Sequence, residues 1–240
     1  MNCKGCGENK KLIKAHIIPK SFYMDLRGDA NHLNVVPSDK DVRESRSNIG
    51  DYDQNILCKE CDSIIESYDD YGKKVLLDDN PNLVPYYRNG ELLGWELSEF
   101  NSTRLKLFFL SILWRASISS RHFFRRITLG EYEDVLKELI WSGGDDGNRT
   151  FGVILAKFLP ANIAGVEKSI LDPDNLQIEE RNYYRLYLGG YNAWIRVDDS
   201  GPAQRFKNLE ISENANLKIV PRSFQNSKEY QVLSKSIQDR

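Results

Sequence analysis

The chain is poor in the residues that support redox or imidazole-rich metal chemistry. Its 240 residues include four cysteines, three histidines and two methionines. With His16, His32 and His122 alone, a transition-metal site rich in imidazole is excluded. His32 lies in the turn-rich stretch Gly28-Asp29-Ala30-Asn31-His32 and reads as a loop residue. A GxGxxG phosphate loop is absent, and Gly143-Gly144 lacks the following helix that such a motif needs. No apolar run approaches the ~18 residues needed to span a bilayer. The nearest, residues 107–114, is bracketed by Lys106 and Arg115. The start, Met1-Asn2-Cys3-Lys4, has no apolar signal core. A net charge of −2 excludes a polycationic nucleic-acid coat, and 40% apolar residues exclude a disordered tail. The expectation is a soluble, cytoplasmic protein with no membrane partner.

All four cysteines sit in CxxC pairs. Cys3-Lys4-Gly5-Cys6 opens the chain, and Cys58-Lys59-Glu60-Cys61 follows after 51 intervening residues. Zn²⁺ takes four thiolates at tetrahedral corners, and two CxxC turns supply them. Gly7 after Cys6 suits the backbone of a tight knuckle. A redox CxxC needs only one pair, ahead of a helix in a βαβ unit, and nothing of that kind surrounds Cys3. The expected cofactor is therefore a structural zinc on Cys3, Cys6, Cys58 and Cys61.

Between the pairs lies Lys14-Ala15-His16-Ile17-Ile18-Pro19-Lys20, an apolar strand-like run ended by Pro19. The second CxxC runs into Asp62-Ser63-Ile64-Ile65-Glu66-Ser67-Tyr68, whose Ile64, Ile65 and Tyr68 share one helical face. CxxC, His-Ile-Ile-Pro and CxxC followed by a polar residue resembles the HNH nucleases, in their branch with zinc knuckles. The resemblance covers about residues 1–77. It implies a ββα-metal or treble-clef core and phosphodiester hydrolysis with one catalytic metal. In such enzymes a His deprotonates the attacking water, and the metal stabilises the leaving oxygen and phosphate charge. By the resemblance His16 is the general base. Asp62 takes the place of the last His or Asn of the motif and is the ligand of a catalytic Mg²⁺ or Mn²⁺. The middle Asn position falls on Asp53. Asn55 lies two residues on, which a regular strand puts on the same face, so either could serve. Ala15 stands where many family members carry a second metal ligand.

Charge is segregated along the chain. Residues 1–28 carry +4, residues 41–80 carry −6, and residues 100–130 carry +6 with no acid. A nuclease needs cations to hold phosphates. Lys14 and Lys20 flank the proposed base. Arg121, Arg125 and Arg126, set among His122, Phe123 and Phe124, could grip the backbone or answer a helix dipole.

Residues 78–85, with Pro81 and Pro85, read as the end of the zinc module. A short strand is expected at 92–97. A largely buried helix follows from about Ser102, with Ser102 or Thr103 as its cap. Thr128-Leu129-Gly130-Glu131 reads as a capping box before a helix over about 130–141, with Tyr132, Val135, Leu136 and Leu139 inward. The segment 141–147 reads as a stop and a flexible loop. Strands are expected at 151–159 and 217–220, with a hairpin of 183–188 and 191–197 turning on Gly189-Gly190. The tail from Ser227 reads as helical.

The expected fold class is α+β. A zinc-bound, HNH-like ββα-metal (treble-clef) module spans 1–80, and a helical segment spans 81–145. An antiparallel β-rich α+β region spans 146–240 and could form one domain with the helices. The expected activity is a metal-dependent endonuclease acting on DNA, with RNA open, and family analogy places such proteins in restriction or anti-phage defence. The C-terminal region is left for target choice, homo-oligomerisation or a protein partner. The alternative is a catalytically degenerate zinc module that binds nucleic acid or a protein.

Overall fold

The computed structural model describes residues 1–27, 33–35, 45–47, 50–78, 81–159 and 169–238. His32 lies outside them. In chain order the first part contains β1 (Ala15–His16), α1 (Lys20–Arg27), β2 (Leu33–Val35), β3 (Ser45–Ser47), β4 (Tyr52–Asp53) and α2 (Lys59–Leu76). β1 pairs antiparallel with β4, setting Ala15 opposite Asp53 and His16 opposite Tyr52. β2 pairs antiparallel with β3. α2 follows directly on Cys58 and carries Glu60 and Asp62 in its first turn and Lys73 and Lys74 in its last. That order complements the helix dipole at both ends.

The rest contains β5 (Leu83–Arg88), β6 (Glu91–Leu97), α3 (Ser102–Ile118), α4 (Tyr132–Ser142), β7 (Phe151–Phe158), β8 (Asp174–Ile178), β9 (Arg181–Leu188), β10 (Tyr191–Val197), β11 (Leu217–Arg222) and α5 (Lys228–Gln238). The class is α+β, as expected. Seven strands form one sheet in the order β5-β6-β11-β7-β10-β9-β8. The sheet is mixed rather than antiparallel, because β11 runs parallel to β7. β6, the strand expected at 92–97, and β5, which was not expected, complete one side of it. Pro85 lies inside β5, an edge strand, where its missing N–H breaks no ladder. The hairpin β9–β10 turns on Gly189 (φ 58°) and Gly190 (φ 87°), the left-handed pair a two-residue turn requires.

α3 organises the core. Every residue from Leu105 to Ala116 is buried, so the helix has almost no solvent face. Its cap is Asn101, whose side chain accepts the Arg104 N–H at 2.8 Å, one residue before the expected cap. α3 packs on α2 and α4 and against β7 and β10. One apolar cluster therefore runs from Cys3, Ile17 and Ile65 through Phe108 and Trp114 to Leu155 and Ile195. No described helix is long and apolar enough to cross a membrane.

Three local expectations fail. Glu131 adopts helical φ/ψ with no side-chain cap bond, so the capping box does not form. Val135 points outward, and Leu136 and Ile140 carry the buried face of α4. The segment after α4 is also pinned rather than loose. Gly143 ends the helix at φ 65°, and Asp145 and Asp146 then reach Lys106 on α3 at 2.8 and 2.6 Å.

Gly72 sets the spacing of α2 and α3. A Cβ there would lie 2.4 Å from the Phe108 ring. That ring is held by Phe22, stacked at 5.7 Å, and by Phe109, edge-on at 4.8 Å. Alanine would gain about 1 kcal/mol of helix propensity. Overpacking against a fixed ring costs about 1–3 kcal/mol and wins. Gly72→Ala should therefore lower the thermal midpoint of the folded protein, read by circular dichroism.

Candidate metal centre

Each CxxC is shaped by backbone bonds before any metal is considered. In the first, the Cys3 N–H donates to the Glu8 carbonyl at 2.9 Å and the Gly7 N–H to the Cys3 carbonyl at 2.8 Å. Gly7 takes φ +77°, a conformation costly for residues with a Cβ. In the second, Cys58 is the residue before α2, and Cys61 sits in the first helical turn. The two knuckles are tied by the Lys4 N–H to the Ile56 carbonyl at 2.8 Å and the Cys58 N–H to Cys3 Sγ at 3.2 Å. Gly5 allows the approach, since a Cβ there would meet Cys61 Sγ and the Trp141 ring at 2.7 Å.

The four sulfurs lie within 4.8 Å of one another. A tetrahedral shell at ~2.3 Å has edges of about 3.8 Å, so the cluster is compatible with zinc. Cys3, Cys58 and Cys61 are buried, and Cys6 is exposed. Burial opposes the Cys3 thiolate, but N–H donors from Cys58, Cys6 and Gly5 bring it down to about 7. Burial and the neighbouring sulfurs push Cys61 up, and burial pushes Cys58 up. Four thiolates so close repel one another, and a divalent cation removes that conflict.

Beside the knuckles, His16 is half-buried on β1, its ring 6.0 Å from Tyr52. Its carbonyl accepts Arg115 Nη1 at 2.8 Å. Arg115 also makes a two-pronged pair with Asp69 on α2, at 2.7 and 2.8 Å. Asp62 is half-buried in the first turn of α2. Burial raises its pKa, Arg115 opposes the rise, and Glu66 adds to it.

Asp53 is 2% exposed, and both its oxygens are engaged. Oδ1 accepts the Asn55 N–H at 2.9 Å. Oδ2 accepts Ser119 Oγ, Ser120 N–H and Ser120 Oγ at 2.9, 3.0 and 3.1 Å. Burial works against its charge, and these donors outweigh burial and lower its pKa. Asn55 does not share a strand face with it, because β4 ends at Asp53 and Asn55 lies exposed in the turn beyond. Among the described residues, only the cysteines bring three or more His, Cys, Asp or Glu ligand atoms within 4.8 Å of one another.

The cations divide. Lys14 and Lys20 are exposed, Lys14 lying 5.1 Å over the Tyr52 ring. Arg121 pairs with Asp51 at 2.9 Å, and Arg126 pairs with Asp172 at 2.9 Å. Arg125 Nη1 lies 3.2 Å from His122 Nδ1. Sequence reasoning missed Arg115 and Asp69. The available signal was a cation at the end of the mostly apolar run of α3, which demands a buried carboxylate. Which carboxylate answers it is a matter of packing.

No family model matches the chain, and no curated protein or solved structure matches it.

Metal analysis of the purified protein should find one zinc per chain. Cys58→Ser should lose it and melt the N-terminal helix, because zinc–thiolate binding of about 10–16 kcal/mol matches or exceeds the whole stability of a domain. Retention of zinc and fold in Cys58→Ser would overturn the assignment.

Proposed function

We propose that the cysteine cluster holds a structural zinc, and that the module it staples is an HNH-type site hydrolysing phosphodiester bonds in DNA. The observation that supports this reading is Arg115, whose guanidinium donates to the backbone carbonyl of His16 and whose charge acts on Asp62, so the proposed base and the proposed ligand have one cation as a common neighbour.

In this reading the His16 imidazole accepts the proton of the attacking water. Asp62 offers a hard carboxylate oxygen to Mg²⁺ or Mn²⁺. When bound, such a cation supplies Lewis-acid stabilisation of the phosphate and leaving oxygen. Asp53 keeps its oxygens for Ser119 and Ser120 and so acts as a brace. Exposed Lys14 and Lys20 meet the phosphate backbone. Arg121, Arg125 and Arg126 contribute a second basic surface whose charge is partly neutralised by Asp51 and Asp172. The seven-stranded sheet is the element available for target choice or a partner, and restriction or anti-phage defence is the setting that family analogy suggests.

A second reading is a zinc-stapled module that binds nucleic acid or a protein without cutting. The commitment of Asp53 and the presence of Ala15 at a ligand position favour it.

A plasmid assay in Mg²⁺, Mn²⁺ or EDTA decides between them. The nuclease reading expects metal-dependent nicking that falls about 10²–10⁴-fold in His16→Ala. A zinc-loaded protein that binds DNA and cuts with no metal supports the second reading and overturns the first.

A further inference from the structure

The HNH-like resemblance stops near residue 77, yet a cation that bonds the His16 backbone comes from outside it. Arg115 lies on α3 and is 1% exposed. Its Nε donates to the Ser111 carbonyl at 3.2 Å, which fixes the side chain against its own helix. Nη2 and Nη1 reach the two oxygens of Asp69 on α2, and Nη1 also reaches the His16 carbonyl on β1. One rigid fork thus joins α3, α2 and the strand bearing the proposed base. A planar, always-charged guanidinium makes these bonds at fixed angles, which a lysine cannot.

Neutralising Asp69 needs only the two-pronged pair. The contact with the His16 backbone is additional, and it acts on the residue whose ring must be aimed. The same end of α3 is stitched to β4 by Ser119 and Ser120 on Asp53, and Arg121 reaches Asp51 next to that strand. The β1–β4 pair is therefore braced from one side by Ser119, Ser120 and Arg121, three successive residues just past the end of α3 and outside the resembling module.

Resting on the nuclease reading, we propose that Arg115 is a positioning residue of the site, setting the orientation of His16 through its backbone and keeping it in register with α2. The zinc module is then not an autonomous nuclease, and α3 is part of the catalytic apparatus.

The test uses the full chain as Arg115→Lys and Asp69→Asn, with two readouts. In nicking assays Arg115→Lys should lower kcat about 10–100-fold with KM for plasmid within twofold, because a misaimed base loses turnover and not DNA affinity. With only three histidines in the chain, ring ¹H–¹³C spectra resolve each. The His16 signal should move in both variants while the His122 signal stays. Asp69→Asn, which keeps the shape of the pair, should give a smaller kcat loss and covers the case in which Arg115→Lys does not fold. A folded Arg115→Lys with wild-type kcat and an unmoved His16 signal overturns the proposal. So does an unmoved signal in Asp69→Asn when Arg115→Lys does not fold. If the wild type cuts nothing, the nuclease reading fails, while the His16 signal still decides whether Arg115 sets that ring.

Discussion

The structure turns on α3 having almost no face in water. A helix buried along most of its length also buries charges it carries there, and α3 buries two cations, Lys106 and Arg115, each 1% exposed. An unpaired buried cation is untenable, so each dictates where carboxylates must go. Lys106 takes Asp145 and Asp146. Arg115 takes Asp69. The first pair fixes the entry to the sheet, because Asp146 also accepts the N–H groups of Thr150 and Phe151 at the start of β7. The second fixes α2 and β1. One helix thereby sets the sheet at one end and the cysteine module at the other.

That arrangement explains how so small an N-terminal module keeps its shape. Its two strand pairs are two and three residues long, too short to stand alone in water. It gains order from two sources of different kind. The cysteine cluster ties the first residues to the start of α2, and a bound zinc would close that tie. The apolar flank of α2, through Ile65, Gly72 and Val75, gains order by joining the core that α3 dominates. The cysteine cluster acts at the start of α2, and the core acts along the length of the helix.

The sheet relies on a comparable buried cation. Arg196 on β10 is fully buried and donates to Glu210 and to the carbonyls of Asn148, Arg149, Thr150 and Asp198. Satisfying nearly every donor is what makes such a charge tolerable. A Cβ at Gly152 would fall 1.9 Å from Glu210, so that glycine leaves the room the ion pair needs. The polar network fixes the loop before β7 against the loop after β10.

The sequence by itself determined the local grammar of this protein. Paired CxxC motifs marked the cysteine cluster, because ligand spacing within a knuckle is a short-range property. Apolar periodicity marked α2 and α3, and Gly189-Gly190 marked the β9–β10 turn, because each reflects the backbone's own geometry. The tertiary structure alone decided which charges meet. Nothing near Arg115 in the chain names Asp69, forty-six residues earlier, or the carbonyl of His16, ninety-nine residues earlier. Asp53 read as the middle residue of a catalytic motif, and its neighbours across space made it an acceptor for Ser119 and Ser120. Pro85 read as a boundary, and its position at a sheet edge made it a strand residue. The β11–β7 parallel pairing was equally out of reach, since it joins strands more than fifty residues apart and no strand's own pattern names its neighbour. Local propensity acts between neighbours in the chain, whereas burial acts on charges and edges through whatever folding brings beside them.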